Sequence, residues 1–423
     1  MSSCLLGAIA DDLTGATDLC NTLVREGMRT VQTTGIPPAG FSVPDTDAIV
    51  VALKSRTIPA AAAIDQSLAA LAWLQSGGAR RIFFKYCSTF DSTDAGNIGP
   101  VADALLDRLG GDLAIACPAF PETGRSVFQG HLFVGDMLLS DSPMRDHPLT
   151  PMRDPSLVRV LQRQTRHKVG MAAYADVEPG AAALAARLEA LRKSGTRHVI
   201  VDAVSDAHLR SIGEACADLA LVTGGSGVAR GLPAAYRKRG LLAAHADAAA
   251  LPRSQGLAAV LAGSCSAATL RQIASFAAGH PALQLKPTAL AAGDAAVEEA
   301  IAWARARIAQ GPVLVYASAA PDEVAAAQRS LGRERAAELV ERALARVATA
   351  LVDSGVGKLV VAGGETSGAV VNALDVKALR IGPQIDPGVP WTTSVGGRPL
   401  ALALKSGNFG AEDFFAKALR QAP

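Results

Sequence analysis

Short, almost unbroken apolar runs separated by amphipathic stretches recur along this chain, and that alternation constrains its fold more than any other feature. Runs of this kind occupy residues 5–10, 48–53, 82–86, 113–117, 169–173, 198–202 and 219–223. A run that is apolar on both faces suits a parallel strand covered on both sides. The stretches at 17–26, 60–75 and 180–194 carry helical spacing instead. Strand and helix alternating at this interval predict an open α/β sheet.

The pattern resumes at residue 257, with strands predicted at 257–262, 313–318 and 358–362 and helices at 267–278, 295–309 and 334–353. In the helix at 295–309, Val297, Ile301, Ala304 and Ile308 form one apolar stripe. Pro and Gly punctuate 379–410, where Gly396-Gly397 marks a hairpin. Between the two series, "GLPAAYRKRGLLAAHADAAALPRSQG" (231–256) has little strand signal and reads as a linker. The expected architecture is α/β: two α/β domains, 1–235 and 257–423, with mostly parallel sheets, a linker at 236–256 and an inter-domain cleft. Clefts of this kind take small ligands.

Composition narrows the partners. The 423 residues carry a formal charge of +2, with 4% aromatic residues and no Lys/Arg block, which argues against nucleic acid. The six cysteines are scattered without metal-ligand or disulfide spacing, as expected for free thiols in a reducing compartment. The start, Met1-Ser2-Ser3-Cys4-Leu5-Leu6-Gly7, lacks a basic segment and meets Asp11 too early for a signal peptide. No apolar run of about 18 residues could span a bilayer. A cytoplasmic protein without membrane partners is expected; association with further copies of itself stays open.

Loops leaving the carboxyl edge of a parallel sheet line the ligand crevice. In the first domain those loops are polar: Asp11 and Asp12 after the first run, Lys54 and Arg56 after the second, and Lys85, Asp91 and Ser92 after the third. A fourth loop leads to Arg125. Any one of these is explained by helix capping or a surface charge. Together they suit a small hydroxylated acid, with cations for its carboxylate and carboxylates for its hydroxyls.

Three Gly-rich loops mark the second domain: "AGSCSAAT" (262–269), with Ser264 or Ser266 placed to cap a helix, "AGGETSGAV" (362–370) and "KSGNFG" (405–410). Such turns at helix N-termini present amide donors to anions, so together they favour a phosphate cradle. No GxxxxGK[ST] run exists, which excludes a P-loop enzyme. "VTGGSGVARG" (222–231) imitates a dinucleotide fingerprint but lacks the acidic residue on a following strand. An NAD(P)-dependent oxidoreductase and a non-catalytic sugar-acid binding module remain as rivals.

The segments "IADDLTGATD", "KYCSTFDST", "CPAFPETGRSVFQGHLFV", "MRDHPLTPM", "AGGETSGAVV", "IGPQIDPGVPW" and "LALKSGNFG" resemble the four-carbon acid sugar kinase family, in order and over essentially the whole chain. The resemblance implies an N-terminal sugar-acid domain and a C-terminal nucleotide domain. It implies phosphorylation of the C4 hydroxyl of a four-carbon acid by ATP with Mg2+, 3-oxo-tetronate first, with threonate and erythronate as alternatives. Carried over, ATP contacts fall on Ser264, Gly363, Gly364, Glu365, Thr366 and Gly407. The acid falls to Lys54, Arg56, Lys85, Ser92 and Arg125, and catalysis to Asp12, Asp11 or, in reserve, Asp91. No metal ligand is assigned.

Overall fold

The computed structural model describes residues 4–38, 40–147 and 149–423. Met1-Ser2-Ser3, which entered the argument against a leader, and Pro148 of "MRDHPLTPM" lie outside the described residues. The chain divides into two compact units, Met1–Ala248 and Ala249–Pro423.

The first unit is built on strands β1 (Leu6–Ala10), β2 (Thr30–Thr34), β3 (Ala48–Ala52), β4 (Arg81–Lys85) and β5 (Ala114–Cys117). A small antiparallel meander, β6 (Arg125–Phe128), β7 (His131–Val134) and β8 (Met137–Leu138), interrupts the series. It continues with β9 (Lys168–Ala172), β10 (Thr196–Val201) and β11 (Leu221–Gly224). The main strands run parallel in the order β2-β3-β1-β4-β11-β5-β10-β9. From β1 the chain first builds to one side, through β2 and β3, and then crosses to β4 on the other. The carboxyl ends of β1 and β4 therefore flank the topological switch point, where open α/β sheets bind ligands.

All seven runs predicted in this half are strands, each within two residues of the expected ends. The sequence did not announce β2, whose "TVQTT" is polar yet buried: Gln32 Oε1 accepts from Thr17 Oγ1 at 2.9 Å. Nor did it announce the meander, whose strands are too short for a periodic signal. The linker expectation needs correction at its start. Residues Leu232–Lys238 form a helix that buries Leu232, Ala235 and Tyr236. Leu242 and Ala248 are buried as well, so apolar side chains tie most of this basic stretch into the first unit.

In the second unit, β12 (Leu257–Ala262), β13 (Ala282–Gln284), β14 (Val313–Tyr316), β15 (Val356–Ala362), β16 (Ala378–Asp386), β17 (Val389–Val395) and β18 (Ala401–Lys405) form one sheet. Their order is β13-β14-β12-β15-β18-β17-β16, parallel as far as β18 and antiparallel at β17. The hairpin expected at Gly396-Gly397 joins β17 to β18. Trp391 anchors the core, fully buried among Phe276, Phe414 and Phe415, with its indole N–H donating to Ala418 O at 3.0 Å. Both units are thus α/β layers on mostly parallel sheets.

Candidate active site

β1 ends at Ala10, so Asp11 and Asp12 stand in the turn that follows, free of the strand's alternation. Asp12 caps the helix Leu13–Arg25, its Oδ1 accepting from Gly15 N–H at 3.0 Å. Asp11 is 4% exposed, and Arg56, from the loop after β3, holds both its oxygens at 2.8 and 2.9 Å. Arg56 Nη2 also reaches Asp12 Oδ1 at 2.6 Å, and its Nη1 lies 3.8 Å from Asp91. Burial pushes the Asp11 carboxyl up from the ordinary carboxylate value, while the Arg56 charge works against that rise. Three carboxylates thus gather round one guanidinium.

The loop after β4 supplies the third of them. Phe90 and Asp91 adopt left-handed φ angles of 66° and 44°, unusual for residues with side chains. Buried Phe90 packs edge-on against Tyr86, with ring centroids 5.4 Å apart, which holds the turn. Thr89 Oγ1 then donates to Asp91 Oδ1 at 2.6 Å. Lys85 is buried and gives its ammonium to Tyr86 O at 2.8 Å. Gly15 lies so close to Asp12 and Lys85 that any Cβ there would collide with Asp12 Oδ1. Ser92 accepts from Gln164 Nε2 at 2.9 Å. Lys54 is exposed, and Arg125, in the meander, donates to Thr123 O within its own loop.

Asp18 also belongs here. Its carboxylate takes a 2.5 Å hydrogen bond from Ser226, and desolvation pushes its pKa up against the Lys85 charge. The sequence contained it, in "GATD", but nothing in the pattern separated it from an ordinary helical aspartate.

In the second unit a cavity of about 570 Å³ opens at the ends of β12 and β15. Ser264, Gly363, Gly364, Glu365 and Thr366 line it. The helix Gly364–Ala373 starts at Gly363 with no side-chain cap, so its N-terminus faces the cavity undisguised. Gly363 takes φ 128°, and a Cβ there would sit 2.9 Å from Thr366 Oγ1. Ser266 is the serine that caps: its Oγ accepts from Thr269 N–H and donates to Gly407 O at 2.6 Å. Gly407 packs so tightly on Ser264 Oγ that no side chain fits.

Lys405, inside the quoted "KSGNFG" but not singled out in it, is 1% exposed. Its ammonium meets only neutral oxygens: Gly407 O at 2.9 Å, Thr269 Oγ1 at 3.0 Å and Ser406 O at 3.1 Å. Burial lowers its pKa to about 8.

The glycines of "VTGGSGVARG" serve packing. A Cβ on Gly225 would lie 2.7 Å from Pro118 O, and one on Gly231 2.7 Å from Arg210 O. Close packing against neighbouring backbone accounts for these glycines without a bound dinucleotide, which leaves the oxidoreductase alternative without its motif.

Residues 6–232 match the family model described as a sugar-binding N-terminal domain, and residues 259–415 the one described as a nucleotide-binding C-terminal domain. The chain belongs to the four-carbon acid sugar kinase family. A 3-oxo-tetronate kinase of Burkholderia multivorans is 62% identical over 416 residues, covering 98% of this chain and 97% of the relative. One of Cupriavidus necator is 61% identical over 420 residues, covering 99% and 97%. Among solved structures, a Haemophilus influenzae protein shares 43% identity at a TM-score of 0.87, covering 98% of this chain and 99% of that one.

Membership makes this chain a phosphotransferase acting on an alcohol group of a four-carbon sugar acid, with a nucleotide-binding domain that implies ATP. No helix among the described residues is long and apolar enough to cross a membrane.

Proposed function

We propose that this kinase transfers the γ-phosphoryl group of ATP to the C4 hydroxyl of 3-oxo-tetronate. The substrate assignment is supported by full-length identities of 59–62% to four proteins named 3-oxo-tetronate kinase. The observation that carries the nucleotide side is the uncapped helix N-terminus at Gly363 on the wall of a cavity. Amide N–H groups and the positive end of the helix dipole there suit phosphate oxygens. Ser264 and Thr366 line that cradle, and Gly407, which does not line the cavity, packs behind Ser264.

Phosphoryl transfer asks for positioning and charge stabilisation more than covalent chemistry. Asp12 is the group that accepts the proton of the attacking C4 hydroxyl. Its Oδ1 is fixed by Gly15 and Arg56, whereas its Oδ2 takes no hydrogen bond from the described residues. Asp11 has both oxygens committed to Arg56 and acts as its anchor, which makes it a positioning residue. Asp91, presented by its strained turn, suits a second substrate hydroxyl, with Ser92 and Lys85 beside it.

No group of three or more His, Cys, Asp or Glu side chains among the described residues could enclose a metal. Magnesium in kinases keeps several waters and binds through nucleotide phosphates plus one or two carboxylates. Glu365, on the cavity wall beside the uncapped helix, fits that lesser demand. When bound there, magnesium would offset charge on the β- and γ-phosphates.

Product analysis tests the assignment. Phosphorus NMR of the reaction mixture should show one phosphate ester coupled to the two C4 protons. A phosphate on C2, or ADP formed without any ester, contradicts it.

A further inference from the structure

Of the four cations expected to receive the acid's carboxylate, Arg56 is balanced by carboxylates, Lys85 and Arg125 donate to backbone carbonyls, and Lys54 is exposed. With Asp11, Asp12 and Asp91 set against Arg56 and Lys85, the pocket at β1 and β4 carries one more negative charge than positive. Such a pocket suits hydroxyl groups and proton removal, and it repels an organic anion. A cation with no carboxylate partner would receive the carboxylate of the substrate better than Arg56 does.

One stands on the far side of the same loop. A cavity of about 700 Å³ is bounded by Ser92 and Thr93 and by Arg153, Arg159 and Arg163. Arg159 is held by Asp154 at 2.6 and 3.0 Å, and Arg163 by Asp94 at 3.1 Å and Asp154 at 3.2 Å. Arg153 makes no ion pair or hydrogen bond among the described residues, although it lines the same wall. Three guanidiniums against two carboxylates leave one positive charge, and it sits on Arg153. Ser92, which lines this cavity, directly follows Asp91 of the carboxylate cluster, so one turn borders both places.

We propose that this cavity is the carboxylate subsite for the sugar acid, with Arg153 as the residue that selects an acid over a neutral sugar. The proposal rests on the kinase reading above and adds to it the polarity of the bound substrate. The hydroxyl-bearing end faces the aspartates, and the carboxylate faces the arginines across the Asp91-Ser92 turn. Arg159 and Arg163, braced by Asp154, form the walls that keep Arg153 company without competing for its charge.

The experiment compares the acid with its carboxamide, which has the same size and no charge, using wild type, Arg153→Gln and Arg153→Lys. Charge-assisted hydrogen bonds are worth enough for a preference of roughly tenfold or more in kcat/KM. Wild type should favour the acid by that margin. Arg153→Gln should raise KM for the acid about tenfold, leave KM for ATP in place and treat the two compounds alike. Arg153→Lys should recover part of the preference. An Arg153→Gln enzyme that still prefers the acid, or a loss equal for acid and carboxamide, overturns the subsite while the kinase reading stands. A wild type that turns over no four-carbon acid at all overturns both.

Discussion

Arg56 grips Asp11 through two parallel hydrogen bonds, Nε to Oδ2 at 2.9 Å and Nη2 to Oδ1 at 2.8 Å, while the same Nη2 touches Asp12. Two adjacent carboxylates at a strand end repel each other, and this shared guanidinium is what makes the arrangement affordable. It also differentiates them. Asp11 is saturated, whereas Asp12 keeps one oxygen without a hydrogen bond from the described residues.

That difference predicts distinct phenotypes. Asp12→Asn should lower kcat by about 10²–10⁴-fold, the usual worth of general-base assistance, with small changes in either KM. The amide preserves the contact to Gly15, so the fold should be intact by circular dichroism. Near-native turnover in this variant removes Asp12 from the proton-transfer role.

Asp11→Ala should act first on stability. Removing one partner of a fully buried pair costs about 3–5 kcal/mol. The Arg56 side chain is 23% exposed, so solvent screening places the expected loss near or below about 3 kcal/mol. Chemical denaturation should show a lowered midpoint, and turnover should fall because Arg56 and the loop after β3 lose their anchor. A variant as stable as wild type contradicts the anchoring role.

Gly363→Ala addresses the nucleotide cradle. At φ 128° any Cβ is strained, and this one would meet Thr366 Oγ1 at 2.9 Å and Ser264 N at 3.2 Å. KM for ATP should rise at least tenfold on the scale of about 1.4 kcal/mol, while KM for the acid holds. Gly364→Val should do the same by placing a side chain where phosphates are expected. Unchanged ATP dependence in both variants moves the triphosphate elsewhere.

Lys405 supplies a pH signature. Its ammonium is buried against neutral oxygens, and burial lowers its pKa to about 8 from the usual 10.5. As pH rises through 8 the folded protein loses this proton while the unfolded chain keeps it, so stability should increase between pH 8 and 10.5. Over the same window a positive charge beneath the Gly407 loop disappears, so KM for ATP should climb. Lys405→Met should flatten that climb; an identical profile in the variant rules Lys405 out as its source.

How far the sequence could be read follows from length scale. Parallel strands such as Ala48–Ala52 and Leu257–Ala262 announce themselves because the run is continuously apolar, as suits a strand covered on both faces. Strand Thr30–Thr34 escapes because its polar side chains find partners only in the fold: Gln32 takes a hydrogen bond from Thr17, and Thr30 and Thr33 donate to the carbonyls of Met28 and Gly35. The Gly-rich loops were legible because glycine reports a backbone demand directly. The division of labour between Asp11 and Asp12 was not, since it depends on which oxygens a distant Arg56 occupies. Arg153 and Lys405 were invisible for the same reason: an unpaired charge is a property of its neighbours.

The most direct test of the central claim is an ADP-release assay with purified enzyme, ATP and Mg2+ over a panel of four-carbon acids. The account predicts the highest kcat/KM for a 3-oxo-tetronate, with threonate and erythronate well below it and one ADP formed per acid consumed. Equal or greater activity on threonate or erythronate, or no acid-dependent ADP at all, would contradict it.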